Sequence, residues 1–489
     1  MKLRIALLLV FTLLGLLALG PTIPNTNAQT VTILHSFGDN LTNGIGPGGL
    51  IQGSDGNFYG VTALGGVTNM DEFGRTGYGI VFRISPGGSE TNLHSFTGPP
   101  NEGYNPSAWL VQGSDGNFYG TTSNLYGTVF RISPNGSYTN LYIFTGSPND
   151  GRYPVGGLVQ GSDGNFYGTA SGGGTSTNCP FGCGTVFRIS PSGNYTNLYS
   201  FIGSPTDGRD PTAGLMQGSD GNFYGTTAEG GSGTNCFIGC GTVFRISPTG
   251  NYTNLYSFVG SPSDGVYPIT ALVQGLDGNF YGTTPVGGIN NNGIVFRIGP
   301  SGSETNLHSF DGVPDNGGDP ICGLVLGSDG NFYGTAALGG TNGVGSIFRI
   351  SPSGTYTDLY TFIGSRNNAK DPGFGLIQGS DGSFYGTAGG GTSTNCLQGC
   401  GTVFKLTIPL NPPPNQISAL QVAGSNLTVS VPSVAYETYQ LQFSSSMNPT
   451  NWVNVPGVSI TNSIGALMTL TNFGGALQPQ GFYRFDITP

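Results

Sequence analysis

Charge is what this sequence has least of. Only 8% of its 489 residues are Asp, Glu, Lys or Arg, and the acids outnumber the bases 25 to 15, for a net charge of −10. With no basic patch, a nucleic-acid partner is excluded, because phosphate binding needs clustered Lys and Arg. Histidine is equally scarce. The three present, His35, His94 and His308, each stand in an "LHSF" context that other copies of a repeat fill with tyrosine. They read as strand positions that pack a ring, and no Ser-His-Asp set can be assembled around them. No phosphate-binding loop is visible and helix signals are missing beyond the first residues. No cofactor is expected. No second apolar run of spanning length follows the first one, so no membrane span is expected in the mature chain.

What is abundant is turn chemistry and rings: 88 Gly, 32 Pro and 53 Phe or Tyr, within 36% hydrophobic residues. Patterned apolar runs argue against disorder, so the chain reads as a folded, turn-rich, all-β protein. At the N-terminus, Lys2 and Arg4 precede an apolar run from Ile5 to Leu19, and Thr26 and Ala28 supply small residues before Gln29. Residues 1–28 read as a cleaved secretory signal peptide, with a membrane anchor as the weaker alternative. The expected location is therefore secreted or cell surface.

Seven cysteines suit an oxidising compartment. Six form the local pairs "CPFGC" (Cys179, Cys183), "CFIGC" (Cys236, Cys240) and "CLQGC" (Cys396, Cys400). Disulfides are the preferred reading. A structural zinc site would want four ligands, typically at closer spacing, and the histidines lie elsewhere, so no metal is expected. Cys322 is left over, as a buried small hydrophobe.

The element Asp-Gly-(Asn/Ser)-Phe-Tyr-Gly recurs seven times, beginning at Asp55, Asp115, Asp163, Asp220, Asp277, Asp329 and Asp381. "VFRIS" and its variants also occur seven times, carrying Arg83, Arg131, Arg188, Arg245, Arg297, Arg349 and Lys405. A third element, "YTNLYSF" and relatives, brings each unit to four short strands with "GLVQGS", "NFYGT" and "GTVFRIS". "SDGN" and "SPSG" supply the turn residues between them. A four-stranded unit of about 54 residues is what a β-propeller blade requires. The chain opens with the fourth element alone, "VTILHSF", and its last repeat stops after the third, "GTVFKLT". A ring resolves that offset, because the first strand completes the last blade and no edge is left unpaired. The expectation is a seven-bladed β-propeller over 29–406 closed by the N-terminal strand, with a solenoid as runner-up.

The tandem "LVQGSDGNFYGTT…GTVFRISPSGNYTNLYSF" resembles the GloVer-type repeat of secreted bacterial proteins, the choice-of-anchor tandem repeat group. The resemblance implies export and a propeller-like body. It brings no activity and no catalytic residues. After a Pro-rich linker at 407–416, residues 417–489 alternate as short strands and read as a small β-sandwich, with Trp452 as its core residue. "YQLQFSSSMNPTNWVNV…FYRFDI" resembles C-terminal modules on exported bacterial repeat proteins.

The seven Asp lack the alternating oxygen ligands of a calcium loop, so they read as turn residues. Their equal number with the basic residues predicts Asp–Arg pairing within or between blades. Loops joining strands two and three, and outer strand to next blade, are long and variable and should share one face, the candidate binding surface. Residues that break the repeat are the candidates for specificity. Trp109 takes a place that is Gly or Ala in other copies and is expected to face the channel, Asp71, Glu72 and Arg75 lie in the longest loop, and Asp311, Asp315 and Asp319 crowd one blade junction. Two functions remain open. One is a non-enzymatic binding or cell-envelope scaffold protein, with a polysaccharide or cell-surface protein as partner; the other is a propeller lyase or glycoside hydrolase. The sequence says nothing about oligomeric state.

Overall fold

A computed structural model of the chain describes residues 29–408 apart from 39–41, 68–76, 101, 147, 149, 313–315, 341, 365–368, 394–395 and 397–398, together with six strands between 419 and 488. The N-terminal apolar run, Asp71, Glu72, Arg75, Asp315 and Trp452 lie outside the described residues. No helix occurs among the described residues, so none is long and apolar enough to cross a membrane.

The body is a seven-bladed β-propeller. In the third blade the inner strand Val159–Gln160 pairs with Phe166–Ala170, which pairs with Thr185–Ile189, which pairs with the outer strand Tyr195–Ser200, all antiparallel. The other blades repeat this order. In the seventh sheet the outer place is held by Thr30–Ser36, antiparallel to Thr402–Thr407. Beyond the propeller, two three-stranded antiparallel sheets are formed: Ala419–Ala423, Asn426–Pro432 and Leu467–Asn472 make one, and Val453–Thr461, Thr438–Ser444 and Phe482–Thr488 the other.

Side chains alternate across a strand, so the Phe-Tyr pair of each repeat faces two ways. Phe58 looks back at the seventh blade and stacks on Tyr385, while Tyr59 looks forward and stacks on Phe118 of the second blade. The same stack recurs as Tyr119–Phe166, Tyr167–Phe223, Tyr224–Phe280, Tyr281–Phe332 and Tyr333–Phe384, with every ring separation between 3.9 and 4.1 Å. These rings are almost fully buried. Each such pair contributes roughly 0.5–1.5 kcal/mol beyond its area burial.

The turn aspartate belongs to this stack. Tyr224 donates its hydroxyl to Asp220 at 2.9 Å, and the carboxylate also accepts from the Asn222 amide at 2.7 Å and the Asn222 backbone N–H at 3.1 Å. All seven copies make the Tyr–Asp bond at 2.8–2.9 Å. Burial alone would raise the Asp220 carboxyl, but the Asn222 and Tyr224 bonds outweigh it and hold it below the ordinary aspartate range. The Tyr224 phenol is pushed up to about 12, by burial first and then by Asp220. The expected Asp–Arg pairs need correcting. Among the described residues only the seventh blade, with its flexible Lys, pairs its turn aspartate with its third-strand base, Lys405 to Asp381 at 2.8 Å. Tyr224 and Arg245 are cross-strand neighbours, and in this blade the tyrosine takes the carboxylate.

A polar clasp runs beside the stack. Gln112, at the end of one inner strand, accepts the Ser54 N–H of the preceding blade at 2.8 Å and donates back to its hydroxyl at 3.3 Å. Six junctions carry this clasp, including Gln52 of the first blade with Ser380 of the seventh. At the fifth-to-sixth junction both members are leucine, Leu276 and Leu326.

Asp220→Ala is expected to cost about 1 kcal/mol, below the usual range for a charged hydrogen bond because the carboxylate is exposed. Thermal unfolding of single and double variants should show Asp220→Ala and Tyr224→Phe to be non-additive, and Asp220→Ala and Arg245→Ala nearly additive. The reverse pattern would make Arg245 the partner.

A candidate binding face over an apolar channel

The two families of long loops do meet. Gly208–Arg209, in the segment entering the fourth blade, pairs with Glu229–Gly230 in that blade's loop between strands two and three. Gly151–Arg152 with Gly172–Gly173, Gly265–Val266 with Val286–Gly287, and Ala369–Lys370 with Gly389–Gly390 repeat the arrangement. The small ladders fasten connector to loop on one end of the propeller. Buried aspartates fix the connectors further. Asp207 accepts from the Tyr199 hydroxyl and the Ile202 N–H at 2.9 Å and from the Gly208 N–H at 2.8 Å, Asp264 is engaged in the same way, and Asp150 accepts from the Thr145 N–H and hydroxyl and the Gly151 N–H. Three disulfides, Cys179–Cys183, Cys236–Cys240 and Cys396–Cys400, brace loops on this end.

Apolar exposure is distributed unevenly between the two ends. Leu125, Tyr126, Phe181, Phe237, Ile289 and Leu338 stand out from the loops between strands two and three, and Phe237 is fully exposed inside its disulfide. Ile143, Ile202, Val259, Tyr267 and Ile363 join them from the connectors. Of the large exposed apolar side chains among the described residues, only Leu276 lies at the short-turn end. Backbone strain gathers on the same rim. Asn105, Tyr153, Asp210, Tyr267, Asp319 and Asp371 have φ between +48° and +60°, each immediately before a proline. Left-handed non-glycine residues of this kind cost of order 1 kcal/mol each and tend to sit at functional sites.

The inner strands surround a central cavity of about 820 Å³. Ala108, Met216, Ile269 and Phe374 contribute to its apolar wall, and none of the lining residues is Asp, Glu, His, Lys or Arg. Trp109 lies in this wall, as its break from the repeat suggested. Its indole covers the inner strands of the next two blades, where a Cβ on Gly157 or Gly214 would come within 2.3 or 2.5 Å of the ring. Cys322 is a free, buried thiol in the same wall, pushed up to about 12 by burial. Its Sγ contacts the Pro372 carbonyl at 3.7 Å.

Of the acids picked out from sequence, Asp319 is a strained rim residue whose carboxyl is raised by burial, and Asp311 is partly buried at the same junction. The structure does not gather them around the channel. His94 and His308 stack on Tyr138 and Tyr356 at 4.2 Å, and His35 packs edge-on against Phe37, which are ring-packing roles.

Sequence reading passed over two groups. Asp210 is pushed up to about 6, by burial first and then by Glu229, which Arg209 binds at 2.9 Å. Glu304 takes the outer-strand place of Tyr138, Tyr195, Tyr252 and Tyr356. Burial, with Asp264 second, raises its carboxyl to about 7. The recurring "GSPxDG" of the connectors was the available signal for the buried aspartates beside it.

A family model described as the Gloeobacter/Verrucomicrobia repeat matches residues 22–238 and again 216–420. The chain belongs to that family. No curated protein matches it. Among solved structures, the extracellular domain of what is described as a hybrid two-component system from B. thetaiotaomicron matches at 10% identity and TM-score 0.45, covering 94% of this chain and 57% of that one. A puromycin hydrolase matches at 12% identity and TM-score 0.44, covering 84% and 61%. A luciferin-regenerating enzyme matches at 12% and 0.38, covering 78% and 95%. Likeness at this level carries no argument about what a Gloeobacter/Verrucomicrobia repeat protein does.

Two outcomes test the site's geometry. Gly157→Ala should displace the Trp109 indole and shift the tryptophan emission of the protein, while an unchanged spectrum would mean the ring does not lie on Gly157. Glu304 keeps its proton up to about pH 7 in the folded protein while it ionises from about 4.5 in the unfolded chain, so its contribution to stability is full below pH 4.5 and is lost as the pH rises to 7. The melting temperature of Glu304→Gln should lack that decline; parallel pH profiles for the two proteins would contradict it.

Proposed function

We propose that the protein is an exported, non-enzymatic binding protein of the cell envelope, using the long-loop end of the propeller to hold a polysaccharide or cell-surface protein. The observation that carries this reading is the one-sided display of apolar and aromatic side chains on braced loops above an uncharged, apolar channel. Exposed apolar side chains held at one end and nearly lacking at the other suit an interaction site. Small aromatic platforms also suit sugar rings, whose C–H faces are apolar while their edges hydrogen-bond. Three disulfides favour an oxidising destination and support export through a signal peptide at 1–28. In this reading Thr30–Ser36 closes the ring, for which its pairing with Thr402–Thr407 speaks. The two C-terminal sheets pack as a β-sandwich for sorting or attachment.

One observation favours a second reading, a propeller enzyme acting on polysaccharide. Asp210 with its raised carboxyl and the Arg209-bound Glu229 offer a protonated acid and an ionised one, the two roles that glycoside hydrolysis needs. Incubation with a panel of neutral and acidic polysaccharides, scored for retention and for new reducing ends, separates the two. Retention without reducing ends is the expected result. Release that disappears in Asp210→Asn would establish the enzyme instead.

A further inference from the structure

The small connector-to-loop ladders are built alike, but they hold different residues. In the fourth blade Arg209 stands opposite Glu229 and is bound by it at 2.9 Å. In the seventh, Lys370 has the Asp371 carboxylate at 3.9 Å. In the third, Arg152 occupies the place of Arg209, but its cross-strand partner is Gly172. No carboxylate among the described residues lies within ion-pair distance of Arg152. Asp150, two residues away, is buried and already accepts two backbone N–H groups and the Thr145 hydroxyl.

Aromatic rings surround Arg152 instead. Its guanidinium carbon lies 4.3 Å from the Tyr153 ring centre, 4.9 Å from Phe181 and 5.3 Å from Tyr126, and it donates a hydrogen bond to the Tyr153 hydroxyl. Phe181 is 67% exposed and Tyr126 46%. The first is braced by Cys179–Cys183, and the second packs against Gly146 of the connector. Rings of this kind orient a guanidinium and leave its in-plane edge to make the bonds. From Arg152 the chain runs directly inward: Val155 lines the channel and Gly157 underlies the Trp109 indole.

We infer that Arg152, Tyr126, Tyr153 and Phe181 form a subsite for a saccharide unit bearing a carboxylate, a uronate. Nε of Arg152 is buried and Nη2 already donates to the Tyr153 hydroxyl, so the carboxylate takes the terminal Nη1–Nη2 edge of the guanidinium as a charge-assisted pair. The apolar face of the sugar ring lies on the exposed faces of Phe181 and Tyr126. A bare inorganic anion would leave those rings unused, and a neutral sugar would leave the cation without its partner. The net charge of −10 does not prevent this, since exposed charges are screened beyond about 8 Å at physiological ionic strength. It does argue for one acid per subsite and against a densely charged polyanion. This inference rests on the saccharide-binding reading above and narrows it.

Calorimetric titration of the whole protein with trigalacturonate and with its neutral methyl ester tests it. Wild type is expected to bind the acid at least about tenfold more tightly than the ester, equivalent to about 1.4 kcal/mol. Arg152→Gln should abolish that preference. Gly172→Glu should abolish it too, by supplying the internal partner that Arg209 has; the new Cβ would meet the stem of Arg152 at 2.7 Å and the Phe181 carbonyl at 3.2 Å. An unchanged melting temperature in each variant shows the fold intact. Equal affinities for acid and ester in wild type, or a preference that survives both substitutions, overturns the uronate subsite. If neutral saccharides then still bind, the broader binding reading stands. If no saccharide binds, the polysaccharide half of that reading falls with the subsite.

Discussion

The structure depends on one contact, the tyrosine of each blade packed face to face on the phenylalanine of the next with the ring planes 26–33° from parallel. A propeller has no central core; its blades are held only by their neighbours. The packing between them must therefore repeat at every junction and return to its start. Ring separations of 3.9–4.1 Å at all seven junctions meet that condition. The rest of the repeat follows from it. The glycine after the tyrosine leaves space for the third-strand phenylalanine, since a Cβ at Gly225 would come within 2.7 Å of the Phe244 ring. The aspartate four residues before the tyrosine ties down its hydroxyl and so sets the ring's tilt.

Much of this architecture was legible in the sequence, because it is periodic. Copy number, turn residues and the alternation of strand faces gave the blades and which end carries the long loops. Contacts inside a blade were less legible. Equal numbers of Asp and Arg show that both belong to the unit; they do not show that they touch. Tyr224 sits across the ladder from Arg245 and has the shorter reach to Asp220, so it takes the bond that charge alone would have assigned to the arginine.

The candidate site was legible where it broke the repeat at one position, as Trp109 does. It was hidden where it is assembled from several segments. Tyr126 comes from one loop, Arg152 and Tyr153 from a connector and Phe181 from a disulfide-closed turn in the next blade. None is unusual in its own segment. The difference between Arg152 and Arg209 depends on a glycine that faces one and a glutamate that faces the other, and that register is a property of the fold.

The fifth-to-sixth junction separates cause from accompaniment among these contacts. There the glutamine–serine clasp is gone, replaced by Leu326 and Leu276, and Leu276 is left 75% exposed with Gly330 beside it. Both side chains changed together, which avoids a glutamine amide or a serine hydroxyl left facing an apolar group, while the Leu276 N–H gives up the glutamine acceptor at an exposed turn. Yet Tyr281 still lies on Phe332 at 4.0 Å, and Asp277 still holds the Tyr281 hydroxyl at 2.8 Å. The clasp is thus dispensable to the ring, whereas the stack is kept at every junction. Because the stacks are buried in the body of the ring, the long-loop rim is free to vary from blade to blade without loosening the scaffold that positions it.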